Sequence, residues 1–302
     1  MRTTNDFLEV DDLDPNELRA VLDDAIAWKA DPELVPRPLA GQGVALLFEK
    51  PSTRTRSSTE MAVVGLGGHP IYIRPEEVGI DTREPAEDVA RVLAGYCAAI
   101  AARVFDHEVL DRMAGAVDVP IVNLLSDQAH PCQALADLLT VREHFGRLDG
   151  KRVVYVGDGN NMAASLAFAS ALSGVELTVS SPPGYELEED VVARARNLGG
   201  TVELVGDPHD AVAGADVVYT DVWVSMGEEH EADARKVAFG GYQVNTELMI
   251  AAGSQACFLH CLPAHRGEEV TAEVIDGPSS LVWQQSANRM HAARALLARM
   301  VA

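Results

Sequence analysis

The sequence predicts an α/β fold with two domains, each a mostly parallel sheet flanked by helices. A length of 302 residues is too great for one small core and suits two domains of about 150 residues each. Short apolar runs alternate with stretches of helical periodicity along most of the chain. This alternation indicates βα units, whose helices cover both faces of parallel sheets.

The first helix has the clearest start signal. Asp14 can cap it, Pro15 takes the first helical position and Glu17 completes a capping box, which predicts a helix over 15–29. Nine strands are predicted after it, at 44–48, 71–73, 98–104, 119–123, 152–156, 176–179, 202–205, 217–220 and 257–260. Helices are predicted between most of these strands, for example at 55–66, 86–96, 132–145, 161–173, 186–198 and 284–301.

A break in this pattern places the domain boundary. The helical stretch 132–145 ends at Gly146, and a new strand begins shortly afterwards at Arg152. We therefore expect a first domain at 1–146 and a second at 147–283. The periodicity of the final helix does not decide which domain it packs on.

Composition and charge exclude several classes of protein. A net charge of −22 would repel a nucleic-acid backbone over most of the surface, so no nucleic-acid partner is expected. No apolar run approaches the roughly 20 residues that span a bilayer. The N-terminus lacks the basic and apolar regions of a signal peptide, so we expect a cytoplasmic protein without a membrane partner. The four cysteines form no CxxC pair and are expected to be free thiols.

The loop at 48–58, which joins a strand to a helix, carries the first chemical signal. Arg54 and Arg56, several hydroxyl groups and the free amides of a helix N-terminus are expected to converge there. A helix N-terminus attracts anions through its dipole and its unpaired N–H groups. Arginine adds forked donors that match phosphate or carboxylate. The loop therefore predicts an anion site, and the alternative is a capped helix with exposed arginines.

Three further motifs carry chemical groups, one at the start of the helix 132–145 and two at the ends of predicted strands. The His-Pro-Cys-Gln step at 130–133 places an imidazole and a carboxamide on one face of a helix start, although such a histidine is more often part of a turn. The segment 221–227 runs Asp-Val-Trp-Val-Ser-Met-Gly, and its alternative is an exposed polar loop. The motif His-Cys-Leu-Pro at 260–263 is alternatively a buried strand end with an inert thiol.

Taken in order along nearly the whole chain, these motifs resemble the ornithine carbamoyltransferase family. The Ser-Thr-Arg-Thr-Arg loop at 52–56 and the His-Pro-x-Gln step are similar to the carbamoyl phosphate site that carbamoyltransferases share. The Ser-Met-Gly run in 221–227 and His-Cys-Leu-Pro at 260–263 resemble the ornithine-specific members. The run Asn-Arg-Met-His at 288–291 is also similar to that family.

The resemblance implies a role for each matching residue. The residues implied to bind the phosphate are Ser52, Thr53, Arg54 and Thr55. Those implied to hold the carbamoyl group are Arg103, on its oxygen, His130 and Gln133. Those implied to contact ornithine are Asn161, Asp221, Ser225 and Met226. Residues that line the reacting centre, and count among the carbamoyl phosphate contacts, are Cys261, Leu262 and Arg289. The implied catalytic set is Arg103, His130, Asp221, Cys261 and Arg289.

The resemblance also implies architecture and assembly. It assigns carbamoyl phosphate to the first domain and ornithine to the second, and it returns the C-terminal helix at 284–302 to the first domain. It implies trimers that share sites between subunits, acting on small substrates without a metal or cofactor. The implied reaction transfers the carbamoyl group of carbamoyl phosphate to the δ-amine of ornithine, yielding citrulline.

One segment, at 76–85, departs from the family pattern. The family carries a Gln-Leu-Gly-Arg-Gly-Glu-like run there, whose glutamine reaches into the neighbouring subunit's carbamoyl phosphate site. Aligned through Glu84 and Pro85, that glutamine falls on Gly79, which has no side chain to reach with. We expect Arg83, together with Thr82, to supply the contact across the interface; the alternative is a surface loop that has drifted.

Four other interpretations compete. Gly157 and Gly159 follow a strand as in a dinucleotide site, but Met162 replaces the last small residue and no acid ends the next strand. Zinc could be held by His130, Cys132, His260 and Cys261, but their spacing is not that of a zinc finger. The chain could also be a binding homologue that has lost catalysis. Finally, a carbamoyltransferase could use a related amine such as putrescine.

Overall fold

The computed structural model describes residues 6–224 and 229–302. It divides into two compact units. The first holds the described residues up to Leu139 together with Ala287–Ala302, and the second holds the described part of Thr140–Ser286. None of the helices in the described part of the chain combines the length and apolarity that a membrane crossing requires.

The first unit is built on a parallel four-stranded sheet with the strand order β2-β1-β3-β4. Its strands are β1 (Gly43–Phe48), β2 (His69–Ile73), β3 (Cys97–Arg103) and β4 (Ile121–Leu125). Its helices are α1 (Pro15–Ala30), α2 (Thr53–Gly65), α3 (Pro75–Val78), α4 (Ala86–Ala94) and α5 (His107–Ala114), and α6 (Pro131–Phe145) begins in it. From Val44 to Phe48, β1 is fully buried, as expected of a strand covered on both faces.

The second unit is built on a parallel five-stranded sheet with the strand order β7-β6-β5-β8-β9. Its strands are β5 (Arg152–Val156), β6 (Glu176–Ser180), β7 (Thr201–Leu204), β8 (Val217–Thr220) and β9 (Cys257–His260). Its helices are α7 (Asn161–Ser173), α8 (Glu189–Asn197), α9 (Pro208–Val212), α10 (Ala232–Ala238), α11 (Thr246–Ala252) and α12 (Ala272–Ile275).

The last helix, α13 (Val282–Met300), contributes to the first unit from Ala287 onward. Two side-chain contacts hold it to α1. Lys29 Nζ donates to Asn288 Oδ1 at 2.7 Å, and Arg299 Nε donates to Asp24 Oδ2 at 2.8 Å. The predicted fold class is therefore confirmed, including the return of the C-terminal helix to the first domain.

The strand orders also fix where ligands are expected. In each sheet the chain adds strands first on one side of its starting strand and then on the other. The change of side, or switch point, lies between β1 and β3 in the first unit and between β5 and β8 in the second. Open α/β sheets bind ligands at such switch points, outside the carboxyl ends of the strands. The loop after β1 and the loop after β5 are therefore the places to look for chemistry.

Candidate functional site

The loop after β1 caps the N-terminus of α2. Ser52 is the N-cap residue: its hydroxyl oxygen accepts from the Thr55 N–H at 3.3 Å, and its hydroxyl donates to Thr55 Oγ1 at 3.0 Å. Thr53 and Arg54 are the first two residues of the helix, exposed and half-buried respectively. α2 has 13 residues, so its N-terminus carries a positive partial charge at this point.

Two buried arginines converge on Thr55. Arg289 Nη2 donates to Thr55 Oγ1 at 2.7 Å, and Arg103 Nη1 lies 3.5 Å from the same oxygen. All three residues are buried: Thr55 is 3% exposed, Arg103 4% and Arg289 7%. Two guanidinium groups held close together away from water attract an anion, because charges interact more strongly where water does not screen them. The arrangement therefore suits an anionic ligand.

The second arginine of the loop, Arg56, contacts Glu60 and Tyr72. Its Nε donates to Glu60 Oε1 at 2.8 Å, and its guanidinium lies 3.7 Å from the centroid of the Tyr72 ring. Glu60 lies one turn further along α2, the usual distance for such a pair. The prediction that Arg54 and Arg56 converge on one spot is wrong for Arg56, whose charge is compensated by Glu60.

His130 lies in the loop between β4 and α6, in the same unit as Arg103 and Arg289. Its side chain is buried, and burial lowers its pKa well below the ordinary value, with Arg289 and Arg103 adding to the effect. Protonating this ring would place a third charge beside two buried guanidinium groups. His130 is therefore neutral near pH 7 and acts as a hydrogen-bonding group rather than as a cation.

Gln133, in the first turn of α6, has a fixed orientation. Its Nε2 donates to Asp137 Oδ1 at 2.7 Å, which identifies the other amide atom as the oxygen. That oxygen is buried and meets no hydrogen-bond donor among the described residues. A buried polar atom of this kind calls for a partner, and an N–H group of a ligand would supply one.

In the second unit, Asp221 and Cys261 form a buried pair after β8 and β9. The Cys261 thiol donates to Asp221 Oδ1, with the two atoms 2.8 Å apart. The Val222 N–H donates to the same oxygen at 2.8 Å, which holds the carboxylate in place. Both side chains are less than one-tenth exposed. A carboxylate and a polarizable sulfur together provide the acceptors that an amine requires.

An asparagine that was not predicted, Asn160, reaches this pair. Its Nδ2 lies 3.5 Å from Asp221 Oδ2, while its Oδ1 accepts from the Met162 N–H at 2.9 Å and so caps α7. Asn161, the predicted ornithine contact, is the half-buried first residue of that helix. Paired asparagines before an apolar helix are an N-cap signal that could have identified Asn160. The predicted contacts Ser225 and Met226 lie outside the described residues.

A buried network fixes the backbone after Cys261. His260 Nδ1 accepts from the Leu262 N–H at 2.8 Å, so its Nε2 carries the proton and donates to Glu269 Oε1 at 3.2 Å. Leu262 has a φ of 60°, a left-handed conformation that costs a residue with a side chain about 1–3 kcal/mol. The hydrogen bond from the Leu262 N–H to His260 holds this conformation, and the His260 ring is itself held by Glu269 in a fully buried pair.

Arg235 ties two loops of the second unit together and was also not predicted. Its Nη1 donates to Asp158 Oδ2 at 2.7 Å and to the Trp223 carbonyl oxygen at 3.2 Å. Asp158 follows β5 and Trp223 follows β8, so the contact spans the switch point of the sheet. The side chains of this ion pair are buried, 7% exposed for Arg235 and 11% for Asp158. The pair therefore helps to fix the chain just after Asp221.

The segment that departs from the family pattern forms a tight turn after α3. Gly79 has a φ of +58°, and a Cβ placed on it would lie 3.1 Å from the Arg83 Cβ. Its carbonyl oxygen accepts from the N–H groups of Thr82 and Arg83 at 3.1 and 2.8 Å. The turn therefore favours glycine at 79. Arg83 is exposed, and its Nη1 donates to the Glu77 carbonyl oxygen at 3.2 Å.

The dinucleotide interpretation meets a steric obstacle after β5. The Gly159 N–H donates to the Tyr185 carbonyl oxygen at 2.8 Å, and a Cβ on Gly159 would lie 2.3 Å from the Leu187 nitrogen. In dinucleotide-binding folds the glycines of this turn admit the pyrophosphate. Here the chain's own backbone takes up that space, which argues against a dinucleotide.

The zinc interpretation is disfavoured by the state of the proposed ligands. Asp221, His260 and Cys261 bring candidate ligand atoms within 4.8 Å of one another. Both ring nitrogens of His260 are already engaged, as described above. Cys132 donates its thiol to the Asn123 carbonyl oxygen, and burial raises its pKa to about 12. A thiol that resists deprotonation is a poor zinc ligand.

Sequence comparison places both units in known protein families. The profile described as "Aspartate/ornithine carbamoyltransferase, carbamoyl-P binding domain" matches residues 5–143, and "Aspartate/ornithine carbamoyltransferase, Asp/Orn binding domain" matches residues 149–300. A curated ornithine carbamoyltransferase from Acidothermus cellulolyticus is 53% identical over 296 residues, covering 96% of this chain and 95% of the relative. One from Haloquadratum walsbyi is 46% identical over 301 residues, covering 100% and 99%.

Solved structures agree with these matches. The ornithine carbamoyltransferase from Pyrococcus furiosus superposes with a TM-score of 0.93 at 46% identity, over 99% of this chain and 97% of that one. The enzyme from Thermus thermophilus superposes with a TM-score of 0.90 at 45% identity, over 99% of both chains. On these grounds the chain belongs to the aspartate/ornithine carbamoyltransferase family.

Proposed function

We propose that this protein transfers the carbamoyl group of carbamoyl phosphate to the δ-amine of L-ornithine, giving L-citrulline and phosphate. The observation that carries the proposal is the convergence of two buried guanidinium groups, from Arg103 and Arg289, on Thr55 at a helix N-terminus. A relative from Pyrococcus furiosus, 46% identical over 299 residues, is named as an anabolic ornithine carbamoyltransferase. This supports a role in arginine biosynthesis.

The first unit holds carbamoyl phosphate in this proposal. The phosphate lies at the N-terminus of α2, bound by Ser52, Thr53, Arg54 and Thr55, with Arg289 beside them. The buried oxygen of Gln133 accepts from the carbamoyl NH₂ group, and neutral His130 donates to the carbamoyl oxygen. Cys261 and Leu262 are assigned to this substrate by the family resemblance.

The reaction develops negative charge where the first unit places its donors. The amine nitrogen attacks the carbamoyl carbon, and the carbonyl π electrons move onto oxygen. Arg103, His130 and Thr55 stabilise that oxyanion. The bond from carbon to the phosphate oxygen then breaks, and phosphate leaves with the electron pair, stabilised by Arg54 and the helix amides. The attacking nitrogen loses one proton, which balances the reaction.

The second unit supplies the amine in its reactive form. With a lysine-like pKa of about 10.4, roughly one amine in a thousand is neutral near pH 7.5, a penalty of about 4 kcal/mol. Asp221 and Cys261 orient the amine and receive or relay its proton. Asn161, Ser225 and Met226 complete the ornithine contacts, and Asp221 with Cys261 joins Arg103, His130 and Arg289 in the catalytic set.

Domain roles and location follow the same assignment. The carbamoyl phosphate domain comprises 1–146 with the helix 284–302, and the ornithine domain comprises 147–283. The two profile matches, at 5–143 and 149–300, support a boundary near 146. The grouping of Ala287–Ala302 with the first unit supports the assignment of the last helix. The nucleophile is the substrate's own amine, so the chemistry requires no metal or cofactor. The free thiols of all four cysteines support a cytoplasmic location.

The assembly is proposed to be a homotrimer in which Arg83, with Thr82, reaches the carbamoyl phosphate site of a neighbouring subunit. Exposure of Arg83 in a turn that Gly79 makes possible supports this role. Mixing Arg54→Ala subunits with Arg83→Ala subunits tests it, because a shared site restores one intact site in some mixed trimers. An active monomer, or full activity of Arg83→Ala alone, would contradict it.

A side-by-side assay tests the reaction itself. Carbamoyl phosphate is supplied with ornithine, putrescine, acetylornithine or aspartate, and the carbamoylated product and phosphate are measured. The proposal predicts that ornithine gives the highest kcat/KM. A higher value for putrescine would replace the proposed substrate, and no turnover with any amine would indicate a catalytically silent binding homologue.

A further inference from the structure

A cavity of about 690 Å³ lies in the second unit at the carboxyl ends of β6 and β7. Asp221 and Cys261 follow β8 and β9, which lie on the other side of β5 in the same sheet. The segment around Tyr185, which packs on Gly159, follows β6. The cavity is therefore distinct from the amine site proposed above.

The walls of this cavity are partly apolar, two carboxylates line it, and His209, Ser181 and Tyr242 are its other polar side chains. Leu204, Val205 and Pro183 line it, and Leu204 is 43% exposed, so its side chain is accessible to the apolar part of a ligand. Glu186 and Asp207 are the carboxylates that line it. Among the residues that line it, neither lysine nor arginine is present. An anion such as a nucleotide phosphate would be repelled there.

Each carboxylate has one oxygen committed to local structure. Glu186 Oε2 accepts from the Gly184 N–H at 2.7 Å, and Asp207 Oδ1 accepts from the His209 N–H at 2.8 Å. The second oxygen of each carboxylate has no hydrogen-bond partner within the ranges that the structure describes. These bonds fix the direction of the two groups while leaving one acceptor on each for a ligand.

Tyr242 provides a fixed aromatic wall. Its hydroxyl donates to the Gly206 carbonyl oxygen at 2.7 Å, so the ring has a defined position. Burial raises the pKa of this phenol, and the nearby charges of Asp207 and Glu186 raise it further. The face of an aromatic ring attracts cations, guanidinium above all among side-chain-like groups.

Ser181 provides the independent sign of a ligand. It lines the cavity and is 6% exposed, and its buried hydroxyl has no hydrogen-bond partner among the described residues. Buried hydroxyl groups in folded proteins are normally paired. A ligand with several N–H donors would satisfy this hydroxyl together with the two carboxylates.

We propose that this cavity binds a small molecule carrying a guanidinium group on an apolar chain. The planar cation lies on the Tyr242 ring, its N–H groups donate to Glu186 and Asp207, and its chain covers Leu204. An ammonium group offers three donors but no flat face, so it binds more weakly at such a site. The site goes beyond carbamoyl transfer, since neither carbamoyl phosphate nor ornithine occupies it.

Calorimetry on the full chain without substrates tests the proposal with n-butylguanidinium, n-butylammonium and 1-pentanol. The expected order of affinity is guanidinium, then ammonium, then alcohol. The double variant E186Q/D207N should weaken butylguanidinium at least tenfold. Glutamine and asparagine keep the local hydrogen bonds, and asparagine keeps the α9 cap, so folding is retained. E176Q, at the opposite end of β6, is the matched control and should bind as the wild type does.

Three results would overturn the proposal. One is equal binding of 1-pentanol and butylguanidinium, or no binding of the guanidinium. Another is a loss of binding in D221N with E186Q/D207N unaffected, since the cation would then occupy the amine site. The third is tighter binding of a nucleoside monophosphate than of butylguanidinium. Citrulline formation by E186Q/D207N should equal that of the wild type, so this test does not depend on the proposed reaction.

Discussion

The two units concentrate opposite chemistry at equivalent places in their sheets. At the switch point of the first, cations are buried: Arg103 and Arg289 meet at Thr55, beside a neutral His130. At the switch point of the second, an acid and a thiol are buried: Cys261 donates to Asp221. One arrangement suits a substrate that is an anion, and the other suits a substrate that arrives as a cation.

The difference shows how a strongly acidic protein binds a phosphate. Lys and Arg number 24 against 46 Asp and Glu, so the mean surface potential opposes an anion. Water screens a buried charge less than an exposed one, so each buried arginine attracts an anion more strongly than an arginine on the surface does. The comparison therefore predicts that single changes to the first unit's buried cations have larger effects than changes to its exposed ones.

The largest effect is expected for Arg103→Ala. Because Arg103 is proposed to stabilise the developing oxyanion, kcat should fall by about 10²–10³, with a smaller change in the KM for carbamoyl phosphate. Steady-state citrulline formation measures both. Arg91→Ala, which removes an exposed arginine paired with Asp88, is the matched control and should leave both values unchanged. Equal effects of the two variants would refute the comparison.

The second effect concerns the amine and pH. If neutral ornithine reacts, kcat/KM for ornithine should rise with a slope near one between about pH 6 and 8, or about 100-fold in total. His130 should add no limb to this profile, because its pKa is well below the ordinary value. Cys261→Ser should keep the fold and carbamoyl phosphate binding while changing ornithine kinetics. A flat profile, or unchanged ornithine kinetics in Cys261→Ser, would count against the amine assignment.

Arg54→Ala should have the next largest effect. A hydrogen bond to a charged group contributes about 1.5–3 kcal/mol, so affinity for carbamoyl phosphate or turnover should fall at least tenfold. Arg56→Ala is the neighbouring control, since Arg56 pairs with Glu60. If Arg56→Ala were the more damaging of the two, the assignment within the loop would have to be reversed.

The smallest effect concerns stability in acid. His130 is neutral in the folded protein, whereas in the unfolded chain it takes up a proton below about pH 6.5. The unfolded state then binds more protons, so the free energy of unfolding falls as pH decreases below that value, by at most about 1.4 kcal/mol per pH unit. Urea unfolding at pH 7 and 5.5 should show a steeper loss in the wild type than in His130→Gln. Parallel losses would mean that His130 is charged in the folded state.

The sequence was sufficient wherever the signal was local. Apolar runs predicted the strands, and Asp14-Pro15 predicted the start of α1, because burial and capping depend on neighbouring residues. The motifs that follow strands were also visible locally, but the roles predicted for their residues came from the family resemblance. Several short helices, such as α9 and α12, were not predicted, since four or five residues carry too little periodicity to identify.

Contacts between distant parts of the chain could not be predicted. Arg289 and Thr55 are 234 residues apart, and Arg235 and Asp158 are 77 apart. Neither pair has a local pattern, because the sheet brings each together only after folding. The family resemblance implied a role for Arg289, but it did not indicate that Arg289 and Arg103 meet at the Thr55 hydroxyl. It did not indicate Arg235 at all. Gly79 looked like a lost contact in the sequence, but the turn favours glycine at that position.

The assignment of carbamoyl phosphate to the first unit and of ornithine to the second can be tested by measuring the KM for each substrate in Arg54→Ala and Asp221→Asn. We expect Arg54→Ala to raise the KM for carbamoyl phosphate at least tenfold and to leave the KM for ornithine within about twofold of the wild-type value. We expect the reverse for Asp221→Asn. An Asp221→Asn variant that loses carbamoyl phosphate affinity while keeping its KM for ornithine would contradict the assignment of the amine to the second unit.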